Sequence, residues 1–465
     1  MVFMKGDQQM KTYENIIIGF GKGGKTLAAE LALSGQSVAL IERDANMYGG
    51  TCINVACIPS KALEHHARLS HGQGGDFSVR SERYKSAVED KRKLTSMLRQ
   101  KNYNKLINAG VHVYTGTATF SDPHHIQVSL TDGTNEELYG ERFFINTGSR
   151  PFIPPVNGLK ESSFTFTSAT LMEVDELPRR LVIIGGGYIG LEFASYYTNF
   201  GSEVTIIQHG EKFLPHEDKE VSTAILMSLE ERGVKILSNS SLRAVRDQDD
   251  HARLTLEVKG ESVRIEADVI LVATGRHPNL RDLNPEAAGI NLTEGGAVKT
   301  DELLRTSVSH IWAMGDVVGG LQFTYISLDD FRIVKDQLLG TGERTTKNRG
   351  NVPYTIFLDP PLSRIGMTEE DALEKGHEIN TARLPAAAIP KAHILKSTTG
   401  ILKAIVDAET DLILGAHFYC AESHEMINLI KLAMDAKLPY TVLRDSIFNH
   451  PTMSESLNDL FHSIK

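Results

Sequence analysis

A chain of 465 residues, 41% hydrophobic and 23% charged with 39 glycines, has the composition of a folded globular protein of about three domains, which excludes a peptide or a disulfide-stapled miniprotein. Its 49 basic side chains against 59 acidic ones leave a net charge of −10, so it offers no cationic footprint for a nucleic acid. No apolar run approaches the eighteen or so residues of a membrane span.

The N-terminal stretch MVFMKGDQQMKTYEN has no apolar core like that of a secretory signal, and the expected location is the cytoplasm. Tyr13 to Gly19 reads as a buried parallel strand, because a β-branched run stops at glycine and meets a helical pattern. Gly35 closes that helix, and Ser37 to Glu42 is the next strand of a βαβ unit. The turn between strand and helix is Gly19-Phe-Gly21-Lys-Gly-Gly24. Glycines at these positions permit the tight turn, the approach of a pyrophosphate and close helix–strand packing, and the helix N-terminus favours the anion. Glu42 ends the second strand, where a carboxylate accepts hydrogen bonds from adenosine ribose hydroxyls.

Next comes Gly49-Gly50-Thr51-Cys52-Ile-Asn-Val-Ala-Cys57-Ile-Pro59-Ser60-Lys61. Two thiols five apart at the start of a helix can close a strained local disulfide and so store two electrons, and a helix N-terminus lowers the pKa of a nearby thiol. A structural zinc needs four ligands, and no second cysteine pair exists; no metal site is assigned. An odd total of three cysteines argues against a structural disulfide framework, and Cys420, on an apolar strand, reads as core.

Lys85 to Ala109 reads as an exposed helix and Val111 to Phe144 as short strands with turns such as Asp132-Gly133. A proline cluster from Pro151 to Pro155 marks a boundary. The βαβ grammar then returns: a strand at Leu181 to Gly185, the turn Gly185-Gly-Gly187-Tyr188-Ile-Gly190, a helix to Phe200, and a strand ending in Gln208. Two dinucleotide sites in tandem suit an enzyme that passes electrons between cofactors. Gln208 neither repels nor grips a 2′-phosphate, so NADH and NADPH both remain open; Lys212 reads as a solvated lysine. A further boundary falls near Gly340 to Pro353, and strands (Leu402 to Val406, Ile413 to Tyr419) mix with helices such as His424 to Ala436 thereafter.

These motifs, with Asn146-Thr147-Gly148, Ala273-Thr274-Gly275-Arg276, Ala313-Met314-Gly315-Asp316 and His450-Pro451-Thr452 followed by Glu455, make the chain resemble the flavin-dependent pyridine nucleotide-disulfide oxidoreductases. That family includes glutathione reductase, dihydrolipoamide dehydrogenase and mercuric reductase. The resemblance implies an α/β protein with two tandem Rossmann-like dinucleotide-binding domains and a C-terminal α+β dimerisation domain. Residues 1–152 and 275–348 form the expected FAD domain, 153–274 the NAD(P) domain and 349–465 the dimerisation domain. It implies FAD on Gly19, Gly21, Gly24 and Glu42, with Asp316 on the ribityl chain and Gln322-Phe323 beside the flavin, and Gly50, Thr51, Thr147, Gly148 and Gly275 as further cofactor-binding residues. NADH or NADPH falls to Gly185, Gly187, Gly190 and Gln208, with Tyr188 as an aromatic lid. Cys57 is then the flavin-facing thiol and Cys52 the thiol that attacks substrate. Lys61, paired with Glu192, reaches the flavin near N5. His450, held by Glu455, serves as acid/base for Cys52 of a second copy in a homodimer.

Gln322-Phe323-Thr324-Tyr325 resembles mercuric reductases, but the sequence ends LFHSIK without the cysteine pair that captures Hg(II), which disfavours mercury. IIGFGKGGKTLA, MYGGTCIN, GGLQFTYISLDD, PPLSRIGMTEE and HPTMSESLNDLF are most similar to bacterial reactive-chlorine-resistance flavoproteins. That branch is associated with reduction of hypothiocyanous acid and of Cu(II). The favoured substrate is a small oxidant: Cys52 attacks it and Cys57 resolves the sulfenyl product. Cu(II) reduction at the same thiols is the first alternative, and dihydrolipoamide dehydrogenase or a non-enzymatic flavin sensor the others. Adjacent His65 and His66 read as helix histidines pointing to different sides rather than as a copper site.

Overall fold

The computed structural model describes residues 10–464; residues 1–9, which carry most of the stretch read for a secretory signal, lie outside them. Among the described residues no helix is long and apolar enough to cross a membrane. The chain gathers into two compact units: Met1–Ser60 with Glu89–Phe152 and Arg276–Arg349, and Lys61–Val88 with Ile153–Gly275 and Gly350–Lys465.

In the first unit, strand β1 (Lys11–Ile18), helix α1 (Lys22–Leu33) and strand β2 (Val38–Glu42) form the expected βαβ. β1 lies between two parallel neighbours, β2 and Asn135–Ile145. Ile16, Ile17 and Ile18 are therefore buried on both faces, which is why the run is continuously apolar rather than alternating. The strand His112–Phe120 runs parallel to β2 and then turns antiparallel with His125–Leu130, so a meander is spliced onto the parallel sheet.

Helix α2 (Cys57–Gln73) leads into the second unit. There strand β3 (Arg180–Ile184), helix α3 (Tyr188–Phe200) and strand β4 (Glu203–Ile207) repeat the design. The strand order is Lys235–Leu237, β4, β3, Val269–Val272, Thr165–Thr167, all parallel. A three-stranded antiparallel sheet (Ser240–Asp247, Ala252–Val258, Glu261–Ala267) and a five-stranded antiparallel sheet in residues 354–419 complete the strands of this unit. The helix expected from 85 begins earlier and spans Phe77–Asn108. Asp76 Oδ1 accepts from the Val79 N–H at 3.0 Å and starts it, a cap that follows the Gly74-Gly75 break.

The two glycine turns are copies in space as well as in sequence. Gly19 sits at φ +99° with its missing Cβ only 2.5 Å from the Asn146 carbonyl oxygen, and Gly185 at φ +113° with its own 2.4 Å from that of Ala273. Each turn is pressed against the end of the neighbouring strand in a conformation that L side chains avoid. At the start of each helix a Cβ on Gly24 or Gly190 would run into the carbonyl oxygen of Gly19 or Gly185, at 2.9 and 2.1 Å.

One buried side chain ties the first turn to the rest of its unit. Asn146 Oδ1 accepts from the Gly24 N–H (2.8 Å), while its Nδ2 donates to the Met314 carbonyl (2.6 Å) and to Ser327 Oγ (3.2 Å). Asn146→Ala strands a backbone donor and a backbone acceptor in the interior. Denaturant unfolding should show a loss of about 3 kcal/mol together with reduced FAD content, whereas a loss below about 1 kcal/mol would mean that water replaces the amide.

Candidate functional site

The first unit carries the thiols. Cys52 stands on a short helical turn, Thr51–Asn54, and Cys57 is the first residue of α2 after a break at Val55 and Ala56. Both are partly exposed free thiols. A hydrogen bond with Cys57, then burial, then the charge of Cys57 push the Cys52 thiol well above the usual range, against the pull of Thr324 and Lys25. Two sulfurs sharing one proton resist losing it, because two adjacent thiolates repel. The lowering expected of a helix start therefore does not reach Cys52. Thr324 Oγ1 lies 3.4 Å from Cys57 Sγ.

Lys25 escaped the sequence reading. It is buried on α1, donates to the Gly49 carbonyl at 2.9 Å, and is pushed down to about 8, chiefly by burial. The signal was available: a lysine directly after Gly24, on a helix face that is otherwise small and apolar.

The surroundings fit a dinucleotide. Glu42 closes β2 with Oε2 accepting from the Phe20 N–H at 3.0 Å, and burial pushes its carboxyl up, as suits a group that waits for ribose hydroxyls. α1 starts at Gly21 without a side-chain cap; the Gly23 and Gly24 N–H groups go to Ser327 Oγ and Asn146. Thr147 Oγ1 is buried with no hydrogen-bond partner among the described residues. Asp316 Oδ2 accepts from Ser149 Oγ at 2.7 Å, and Ser149 Oγ accepts from Arg276 Nε at 2.8 Å. Gly50, at φ +84°, packs on Gly21, leaving 2.8 Å between its missing Cβ and the Gly21 Cα. Thr51 and Gln322 are half-buried, Gly148 lies at φ +71°, and Phe323 stacks on Tyr325 (5.1 Å, 10°).

The second unit carries the other half of the expected residues. α3 begins at Gly187, again without a side-chain cap, and the space beyond the Gly187 Cα is open; Gly275, at φ +110°, is likewise open. These uncapped N–H groups and the clear approach fit a second pyrophosphate. Gln208 is buried; its Nε2 donates to the Gly210 and Lys212 carbonyls (3.0 and 2.8 Å) and its Oε1 faces Gly186. Its amide is thus spent on the loop, while the Lys212 side chain is exposed.

Lys61 Nζ meets Glu192 Oε2 at 2.6 Å, and Glu192 Oε1 accepts from the Phe357 N–H at 2.9 Å. Tyr188 and Glu192 are four apart on α3 and share a face. His450 is exposed, with Nδ1 2.8 Å from Glu455 Oε2. His65 and His66 make an edge contact at 6.0 Å, and among the described residues no three metal-ligating side chains gather. Cys420 is fully buried.

The chain belongs to the pyridine nucleotide-disulphide oxidoreductases: the family model matches residues 13–330, and the family's dimerisation domain matches 352–461. It is an enzyme of the flavoprotein disulfide reductase class, whose cofactors are FAD and NAD(P)H. It is 49% identical over 457 residues to the probable pyridine nucleotide-disulfide oxidoreductase RclA of Escherichia coli, covering 98% of this chain and all of that one. A mercuric reductase of Staphylococcus aureus is 35% identical (96% and 81% covered), and a dihydrolipoyl dehydrogenase of Bacillus subtilis 33% (97% and 96%). Among solved structures it is similar to the Cu(II) complex of the HOCl-induced flavoprotein disulfide reductase RclA of Escherichia coli, with TM-score 0.93, 47% identity, 98% of this chain and all of that chain covered.

Glu64, one turn beyond Lys61 on α2, is buried, and burial pushes its carboxyl from 4.5 up to about 7 despite Arg68. The folded protein therefore keeps a proton that the unfolded chain releases near 4.5, so this group's contribution is full below that pH and is lost as pH rises through about 7. Relative to the wild type, Glu64→Gln should gain about 2 kcal/mol on going from pH 4.5 to pH 8 in urea unfolding. A constant difference between the two pH values would show that Glu64 titrates normally.

Proposed function

We propose that this protein reduces a small electrophilic oxidant, with hypothiocyanous acid favoured, at the Cys52–Cys57 pair and with electrons from NAD(P)H, in defence against reactive halogen species. The observation that carries the reading is the pair itself, two partly exposed cysteines five residues apart, with the third cysteine buried. The 49% identity to RclA and the HOCl-induced description of its structure supply the setting. The cytoplasm, where NAD(P)H is supplied, fits it.

In this reading residues 1–152 with 275–348 hold FAD, 153–274 hold the nicotinamide nucleotide and 349–465 pair two copies. Bound FAD supplies the conduit by which a hydride from NAD(P)H becomes two electrons on the disulfide. Lys61 and Glu192 fix a positive charge beside it, Asp316 and Thr147 hold its polar chain, and Glu42 its ribose. Because Cys52 holds its proton, it needs a base before it can attack. His450 of the second copy, held in one tautomer by Glu455, takes that proton.

The Cys52 thiolate then bonds to the sulfur of HOSCN, and the oxygen leaves as water with the proton from His450. Cys57 attacks the sulfenyl thiocyanate, thiocyanate leaves, and the disulfide forms. The balance is HOSCN plus two thiols giving disulfide, thiocyanate, water and one proton; NADH and a proton restore the dithiol.

Cu(II) reduction is kept as the second reading because a similar structure is described as a Cu(II) complex; two thiolates and soft Cu(I) suit each other.

Steady-state NADH oxidation decides between them. Cys52→Ser should lower HOSCN reduction at least a hundredfold while NADH still reduces the bound flavin. Cys57→Ser should in addition abolish the long-wavelength absorbance expected of the two-electron-reduced enzyme. HOSCN turnover that survives Cys52→Ser overturns the mechanism, and activity with Cu(II) alone promotes the second reading.

A further inference from the structure

Tyr188 is the first residue of α3, and it is not free to move. Its hydroxyl lies 2.8 Å from Glu217 Oε1, to which it donates, and 3.1 Å from the Tyr354 hydroxyl, and its ring stacks on Tyr354 at 5.5 Å and 26°. The Tyr354 hydroxyl donates to the same oxygen at 2.6 Å. Glu217 itself is sealed, with 1% of its side chain exposed. The second carboxylate oxygen faces Arg364 Nη1 at 3.5 Å, a distance at which charge attracts without a hydrogen bond. Arg364 is in turn anchored on the His216 carbonyl and beside Tyr354.

If Glu217 were there only to neutralise Arg364, its best geometry would be spent on the guanidinium. The two short bonds go to phenols instead. Burial and the neighbouring Glu217 charge push the Tyr188 phenol up to about 12, so it stays a donor. Tyr354 belongs to the strand Tyr354–Ile356 and has Arg364 as well as Glu217 to hold it. Tyr188 is half-exposed at a helix start, which makes it the member of the pair able to swing.

One turn along the same face of α3, Glu192 holds Lys61, and Phe357, directly after the Tyr354–Ile356 strand, donates to Glu192. The segment that latches Tyr188 thus also braces the charge pair. We propose that Glu217 is a positioning residue that latches Tyr188 closed, so that NAD(P)H must break a carboxylate hydrogen bond and a ring stack before nicotinamide enters. The latch rests on the reading of Tyr188 as the lid.

Anaerobic stopped-flow reduction of the FAD-loaded enzyme by NADH tests it, because the dependence of rate on NADH separates binding from the limiting rate. Glu217→Gln keeps shape but removes the charge that strengthens the bond. The apparent Kd for NADH should fall about fivefold, with the limiting rate of flavin reduction within twofold of wild type. Tyr188→Phe, which cannot unfold the buried cluster by leaving a charge unpaired, should lower Kd by a similar factor. The double variant should gain no more than Tyr188→Phe alone, since Glu217 acts on the lid through the Tyr188 hydroxyl.

A merely structural Glu217 would change FAD content and thermal unfolding without that non-additive shift. Kd unchanged or raised in Glu217→Gln, or gains that add in the double variant, overturn the latch. Tyr188→Ala separates the two ideas. If it alters Kd while Glu217→Gln does not, the lid stands and the latch falls. If it leaves Kd unchanged, Tyr188 is no lid and both fall.

Discussion

The first unit depends on a close approach that one amide makes tolerable. A glycine turn can be brought against the end of a parallel strand only if the polar groups trapped there find partners. Asn146 provides them, bonding Gly24, the Met314 carbonyl and Ser327 through the two polar atoms of one amide. The consequence is directional. With the Gly23 and Gly24 N–H groups already taken, the turn keeps fewer donors for an incoming pyrophosphate than an unencumbered helix start would, so its rigidity comes at the expense of part of its anion affinity. In the second turn the corresponding strand end is Ala273, whose side chain cannot bond the helix. One βαβ unit is thus clamped shut by its own side chain and the other left open at Gly187.

Charge in the second unit is arranged on the same economy. Lys61 and Glu192 are only partly buried, with 29% and 14% of their side chains exposed, so desolvation is modest and the 2.6 Å pair is held by geometry rather than by a dry interior. The Phe357 N–H and the face of the Phe357 ring, 4.6 Å from Lys61 Nζ, fix both members. Glu64 sits behind them with its carboxyl near 7, so the field around the pair changes with pH in the physiological range. The same region therefore couples proton inventory to the residues expected nearest the chemistry.

Much of this was legible in the sequence because backbone constraints write themselves in residue types. Both βαβ units, their glycines, Glu42 and the cysteine pair stood out since a turn at positive φ, a buried strand and a two-electron thiol pair each tolerate few alternatives. The antiparallel sheet at 240–267 did not stand out; its strands are half-solvated, with exposed Arg243, Arg246 and Glu261 among apolar residues. Helix Phe77–Asn108 was read short because its start is marked only by Asp76. Glu217 and Arg364 were invisible as a class. A charged residue whose partner lies tens or hundreds of residues away looks the same in sequence as a solvated one.

The proposed substrate rests on what the thiols can and cannot do. A chelated soft metal asks for additional thiolates. The only further cysteine in the sequence, Cys420, is sealed in the core with Phe418 and Met426 and has its thiol pushed up by burial; releasing it would disrupt the sheet it belongs to. What remains is two sulfurs sharing a proton, with Thr324 near one of them. Cys52 in such a pair is quiet toward weak electrophiles, since it holds its proton against the hydrogen bond and charge of Cys57. In the proposed function an external base removes that proton, and the acceptor is small and strongly electrophilic. On that reading, reactive oxidants are then selected by the reactivity of this pair rather than by further thiols.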